Sequence, residues 1–207
     1  MTVGLSSCGK SSKGKMANEW KVTEYNQTTT ETEANGDKTV TTTAMTETTA
    51  TMTTTETSNG TTTTSTGTAT VNANTMTIDK DGTWEATRDW TTTEVIFGVT
   101  TTNKSTEKTS GTWAFIGKTK GDEFKKNERV IFNTLTSSNT LVQTVGGTAQ
   151  TYSSSDTYKT GENTMIYTVK ESKKAELQLE AEMGNTSTSG SSTSSVVGTT
   201  TITLSGE

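Results

Sequence analysis

The chain has 207 residues, a formal charge of −5 and 27% hydrophobic side chains, with threonine at 56 positions, one cysteine, and neither histidine nor proline. Without imidazole there is no Ser–His or Cys–His pair and no ordinary zinc site, and one thiol closes no disulfide within the chain. Two arginines, Arg88 and Arg129, on an acidic background make no basic stripe for nucleic acid, and no apolar run reaches the ~18 residues of a spanning helix, so the expected catalytic, cofactor and metal-ligand sets are empty.

Residues 1–18 form an N-terminal segment apart from the rest. Leu5-Ser6-Ser7-Cys8-Gly9-Lys10 resembles a bacterial lipobox, in which leucine and two small residues precede a cysteine that receives lipid. The resemblance implies Cys8 as a lipid-attachment site and the mature N-terminus, and Lys10 to Lys15 as a polar tether. A signal peptide needs an apolar segment of about 7–15 residues before its cysteine, so the gene is expected to start upstream. Gly9 to Lys15 also fits G-x-x-x-x-G-K, but Met16 stands where a P-loop needs Ser or Thr, and no strand precedes it.

Residues 19–207 read as one all-β domain. Trp20, Val22 and Glu24 alternate with Lys21, Thr23 and Tyr25, the period of a strand. Asn35-Gly36-Asp37 and Ser58-Asn59-Gly60 are hairpin turn signals. Between them 39–57 is expected as one run with Val40, Ala44, Ala50 and Met52 on one parity. The run 61–78 holds Ala69, Val71 and Ala73 on odd positions and Met76 and Ile78 on even ones, so a bulge is expected between Ala73 and Met76 if all five share a face. Threonine is β-branched and stiff, which favours strands over helix. The segment 28–75, almost free of large apolar residues, is expected to project from the core.

Asp79-Lys80-Asp81-Gly82 marks a third turn; an EF-hand fails in register there, since Thr77 and Arg88 stand where an acidic pair belongs. Trp84 and Trp90 share parity. Strands are expected over 94–102, 109–116 with Trp113 and Phe115, and 129–135, with a charged loop over 118–128. Gly146-Gly147 and Gly161 mark further turns, and 165–169, 175–183 and 196–204 complete the set. Over 170–183, Glu176, Gln178 and Glu180 alternate with Leu177, Leu179 and Ala181, a strand period rather than a helical one. The carboxylate pairs Asp79 with Asp81 and Asp122 with Glu123 sit in turns among lysines and read as solvated charge.

The expectation is therefore all-β: an antiparallel meander of about nine or ten long strands, folded as a barrel or a sandwich with an extended Thr-rich hairpin region. Trp84, Trp113 and Phe132 are expected in its thin core. The Thr-rich strands would offer long edges for self-association, which points to a non-enzymatic structural or adhesive protein, such as a fibre subunit. The alternative is a barrel that binds a small apolar ligand, if its Trp and Phe side chains line a void. Asp156-Thr157-Tyr158 resembles the O-glycosylation motif of Bacteroidota and offers Thr157 as a site of covalent glycan.

Trp20-Lys21-Val22, the run from Thr77-Ile78-Asp79 through Gly82-Thr83-Trp84-Glu85, Gly111-Thr112-Trp113-Ala114-Phe115, Arg129-Val130-Ile131-Phe132 and Met165-Ile166-Tyr167 with Glu176-Leu177-Gln178-Leu179 together resemble the lipocalin-like surface lipoproteins of Bacteroidota. That resemblance implies a lipocalin-like barrel on the bacterial cell surface, anchored in the outer membrane through lipid alone or released outside the cell. The Thr-rich insertion departs from the pattern.

Overall fold

A computed structural model describes residues 12–117, 128–189 and 192–206. Cys8 and most of the charged loop over 118–128 lie outside the described residues. A single helical turn, α1 (Ser12–Met16), precedes eleven strands: β1 (Asn18–Thr32), β2 (Lys38–Thr46), β3 (Thr49–Ser58), β4 (Thr61–Ile78), β5 (Thr83–Ile96), β6 (Val99–Gly117), β7 (Glu128–Val145), β8 (Thr148–Thr157), β9 (Thr164–Ser172), β10 (Glu176–Ser189) and β11 (Ser192–Gly206).

All pairings are antiparallel, and the sheet closes on itself. At its base eight strands form the ring β1-β4-β5-β6-β7-β9-β10-β11. Asn18 to Lys21 pair with Ile78 to Thr75. Higher up, β1 leaves β4 and pairs with β2 from Glu24 to Thr32, so the β2–β3 hairpin is wedged into the wall between them. On the far side β8 and β9 run down the same edge of β7. Thr157 pairs with Thr136, and Thr164 pairs with Asn133. They act as one long strand interrupted by residues 158–163.

Eight strands give an interior wide enough to be filled by side chains or to hold one small ligand. The inner face is apolar at the base and grades into Thr and Ser above, which is why the core sits low. Trp20, Val22, Ile78, Trp84, Trp113, Val130, Phe132, Leu177, Leu179 and Leu204 are buried there. The expected burial of Trp84, Trp113 and Phe132 holds. Val22 and Tyr25 share the inner face despite opposite parity, because the register shifts between Val22 and Glu24.

Two expected runs are divided, and one expected bulge is moved. The run 39–57 is two strands, broken at Glu47 and Thr48. No glycine marks this turn because the Thr46 hydroxyl oxygen accepts hydrogen bonds from the Thr48 and Thr49 amides, at 3.3 and 3.1 Å. As a result Met45 and Ala50 face inward together. The run 94–102 is also broken: Phe97 and Gly98 form a two-residue turn with φ of 50° and 79°, and the Phe97 ring lies fully in solvent. The bulge in β4 falls between Val71 and Ala73, not between Ala73 and Met76. Asn72 absorbs it, so Val71, Asn74, Met76 and Ile78 are buried while Ala73 faces outward.

The Thr-rich strands are hydrogen-bonded to one another along their length. Across β3 and β4, hydroxyl pairs Thr53–Thr66, Thr55–Thr64 and Thr57–Thr62 lie 3.1–3.2 Å apart, a ladder of cross-strand contacts. Asp37 ties the two turns above them: its carboxylate accepts from the Ser58 hydroxyl at 2.6 Å and the Asn59 amide at 3.3 Å. β1 to β3 therefore have partners on both sides within the sheet, whereas β4 pairs with β5 only from Thr70 to Ile78.

Candidate functional site: a cavity inside the barrel

The base of the barrel is plugged. Met16 of α1 is fully buried, and its carbonyl accepts the Trp20 indole N–H at 2.8 Å. The Lys15 ammonium donates to the Ser172 carbonyl at 3.2 Å and ties the helical turn to β9. The Trp113 indole donates to the Asp79 carbonyl at 2.7 Å, and the Trp84 indole to the Asn133 carbonyl at 3.2 Å. A buried indole N–H needs a partner; all three have one in the backbone, so none is free for a ligand.

Above the plug lies a cavity of about 220 Å³. Its floor and walls are Val22, Met76, Trp84, Phe132, Met165, Leu179 and Ile202. Trp84 packs edge to face on Phe132 with ring centres 5.4 Å apart, and Phe132 packs likewise on Tyr167 at 5.9 Å. The bulge in β4 and the inward parity of β5 and β6 bring a polar group to its upper end: Asn74, Arg88 and Glu107, with Tyr25 from β1. The Arg88 guanidinium stacks 4.6 Å over the Tyr25 ring and lies 4.0 Å from the Glu107 carboxylate. A second, more open cavity of about 390 Å³ lies on the other side of Tyr25, Arg88 and Glu107, lined in part by Met45, Ala50, Met52 and Trp90. Tyr25, Arg88 and Glu107 thus stand between a mainly apolar chamber and a more open upper vestibule.

Two features mark the chamber chemically. Asn74 is 5% exposed and its amide nitrogen has no hydrogen-bond partner. An unsatisfied buried donor costs about 1–3 kcal/mol, and Asn74 is among the residues that line the cavity. Both tyrosines are held neutral. Burial pushes the Tyr167 phenol up to about 12, helped by charge on Tyr25 and opposed by Arg88. Burial also raises Tyr25, against the charge and hydrogen bond of Arg88. The chamber therefore offers a neutral aromatic lining, a free amide donor and an arginine partly balanced by Glu107.

Thr157 ends β8, is exposed and pairs with Thr136, two residues along β7 from the chamber-lining Thr134, without itself lining the chamber; Cys8 lies outside the described residues. Reasoning from sequence did not single out Tyr25, Asn74, Arg88 or Glu107. For Arg88 a signal was present: it lies between Trp84 and Trp90 on their own parity. Asn74 carried none, because its inward position depends on where the bulge falls. Among the described residues no group of three or more Cys, Asp or Glu side chains gathers as a metal site. No protein-family model, curated protein or solved structure matches this chain.

Proposed function

We propose that the chain is a non-enzymatic, lipocalin-like barrel that holds one small apolar molecule bearing a hydrogen-bond-accepting oxygen, and that it works on the bacterial surface, attached through lipid on Cys8. The observation that carries the ligand reading is the unpaired Asn74 amide in a chamber walled by Trp84 and Phe132. Trp84, Phe132 and Tyr167 line a void above the packed base, which favours ligand binding over a purely structural role. An acceptor oxygen near Asn74 would satisfy the donor that the chamber leaves open. The chamber is smaller than most ligand pockets, which run to about 300–1,000 Å³. A larger molecule would have to pass the Arg88–Tyr25–Glu107 partition into the vestibule. The surface assignment is supported by the Leu-Ser-Ser-Cys pattern.

The test compares acetophenone with ethylbenzene, which matches its shape without the oxygen, by calorimetry on the full chain. The expected result is tighter binding of the ketone, and loss of that preference in Asn74→Leu. The same variant, freed of an unsatisfied donor, should unfold at higher urea by about 1–3 kcal/mol. Equal binding of both probes by the native protein, or no binding of either, would refute the reading.

A further inference from the structure

Closing the ring at its base leaves strand edges open above it. Among the described residues β8 pairs only with β7, from Thr148 to Thr157. β10 pairs with β9 only from Leu177 to Glu180, so its outer edge is free from Ala181 to Ser189. These two edges lie on either side of residues 158–163; a third unpaired edge, Thr61 to Ala69 of β4, lies elsewhere in the wall, because β4 pairs with β5 only from Thr70 onward. All ten residues of β8 are exposed.

Free edges on soluble proteins are commonly blunted by lysine, proline, a bulge or a covering loop. Neither edge has such a device. β8 carries a single charge, Asp156, and the free part of β10 a single charge, Glu182. Neither stretch contains Lys, Arg or Pro, and both pair with their inner neighbours in unbroken register. The result is two weakly charged rows of backbone donors and acceptors of similar length.

We propose that these edges join: β8 of one copy pairs with the upper part of β10 of a second copy of this chain, so that barrels assemble side by side. β8 runs toward the base and β10 away from it, so two copies with the same orientation meet antiparallel without either being inverted. A contact between two different patches of the same surface does not close on itself unless a rotation returns it to the start, and it yields rows or rings. Pairing β8 with another β8 would turn one copy upside down. That is incompatible with chains that are all attached to one surface through the N-terminal, base end, and this choice of edges rests on the Cys8 reading given above.

The test uses the full chain with Cys8→Ser as background. Ser153→Cys in one preparation and Asn185→Cys in another lie near the centres of the two edges. On mixing under mild oxidation, the expected product is a crosslink between the two variants and not within either one. A second measurement does not depend on register: amide exchange in 148–157 and 181–189 should slow as protein concentration rises, with no change in β2 or β3. Adding Thr151→Lys and Ser153→Lys to β8 should abolish the larger species in sedimentation while leaving the urea midpoint unchanged. A protein monomeric up to its solubility limit, edge exchange independent of concentration, or Ser153→Cys crosslinking with itself would each overturn the proposal.

Discussion

Gly111 is the tightest point of the barrel wall and gives the sharpest stability test. It sits at the register shift between β6 and β7, opposite Thr134. A Cβ at this position would lie 1.8 Å from the Asn133 carbonyl oxygen, 2.9 Å from its carbon and 3.0 Å from the Leu135 nitrogen. All three are backbone atoms, so no side chain can rotate away and β7 itself must move. Asn133 has little freedom to do so. Its carbonyl accepts the Trp84 indole, and its side-chain oxygen accepts from the Gly161 amide at 3.2 Å and the Thr164 hydroxyl at 2.7 Å. Overpacking costs about 1–3 kcal/mol when neighbours can adjust, and loss of one hydrogen bond adds about 1 kcal/mol. Gly111→Ala should therefore cost about 2–4 kcal/mol, or roughly 10 °C in melting temperature for a chain of this size. Gly67 is the control: a Cβ there would meet nothing within 4 Å, and its backbone is ordinary strand. Gly67→Ala should gain about 0.4–1 kcal/mol by restricting the unfolded chain. Urea unfolding followed by tryptophan fluorescence measures both. Gly111→Ala within half of the smallest expected loss, or Gly67→Ala the more damaging of the two, would refute the steric argument.

Alkaline pH should loosen the barrel. Tyr25 and Tyr167 are kept neutral in the fold, with their pKa values raised above the ordinary 10. The unfolded chain loses these protons first, so the stabilisation is complete below pH 10 and disappears as pH climbs toward 12. Urea midpoints should fall across that window, less steeply in Tyr167→Phe; a flat profile would contradict the assigned burial. Intact mass measurement of protein from its native source should find lipid on Cys8 and carbohydrate mapping to Thr157. An unmodified thiol with residues 1–7 still attached would remove the anchor from the functional reading, and an unmodified Thr157 would remove the glycan.

Much of the local structure was legible because it depends on residue types with one physical use. Gly36, Gly60 and Gly82 take φ of 76–96° at the expected turns, where only glycine is unstrained. The alternation of Leu177 and Leu179 with Glu176, Gln178 and Glu180 marked β10 as a strand. The missed turns lacked such marks. At 46–49 a threonine hydroxyl takes the part that Asn or Gly plays elsewhere, and one more threonine among 56 carries no signal. At 97–98 the positive φ falls on a phenylalanine, which sequence propensity assigns to a strand. Ring closure was not legible either. Thr-on-Thr pairings are nearly equivalent in every register, so nothing in 28–75 announces that β1 abandons β4 for β2 after Lys21. The chamber depends on that closure and on a bulge at Asn72, and its polar residues could be assembled only once both were known.

The seam between β1 and β11 has a bearing on how the molecule folds. The Thr23 hydroxyl donates to the Thr203 carbonyl across 180 positions of sequence, and pairing continues from Trp20 with Gly206 to Thr32 with Ser195. Neighbouring hairpins such as β2–β3 and β5–β6 need only short loops to meet and can form in microseconds. The seam has to wait for a closure of far greater entropy, and sheets dominated by such distant pairings fold in milliseconds to seconds. During that interval β1 and β11 are themselves open edges, next to tryptophan and leucine side chains that have not yet been enclosed. The period of greatest exposure to misassembly thus ends with the last seam, and anything that weakens it, such as crowding Gly198 against the Thr28 carbonyl oxygen, which a Cβ there would approach to 2.5 Å, would prolong that exposure before it lowered the stability of the finished barrel.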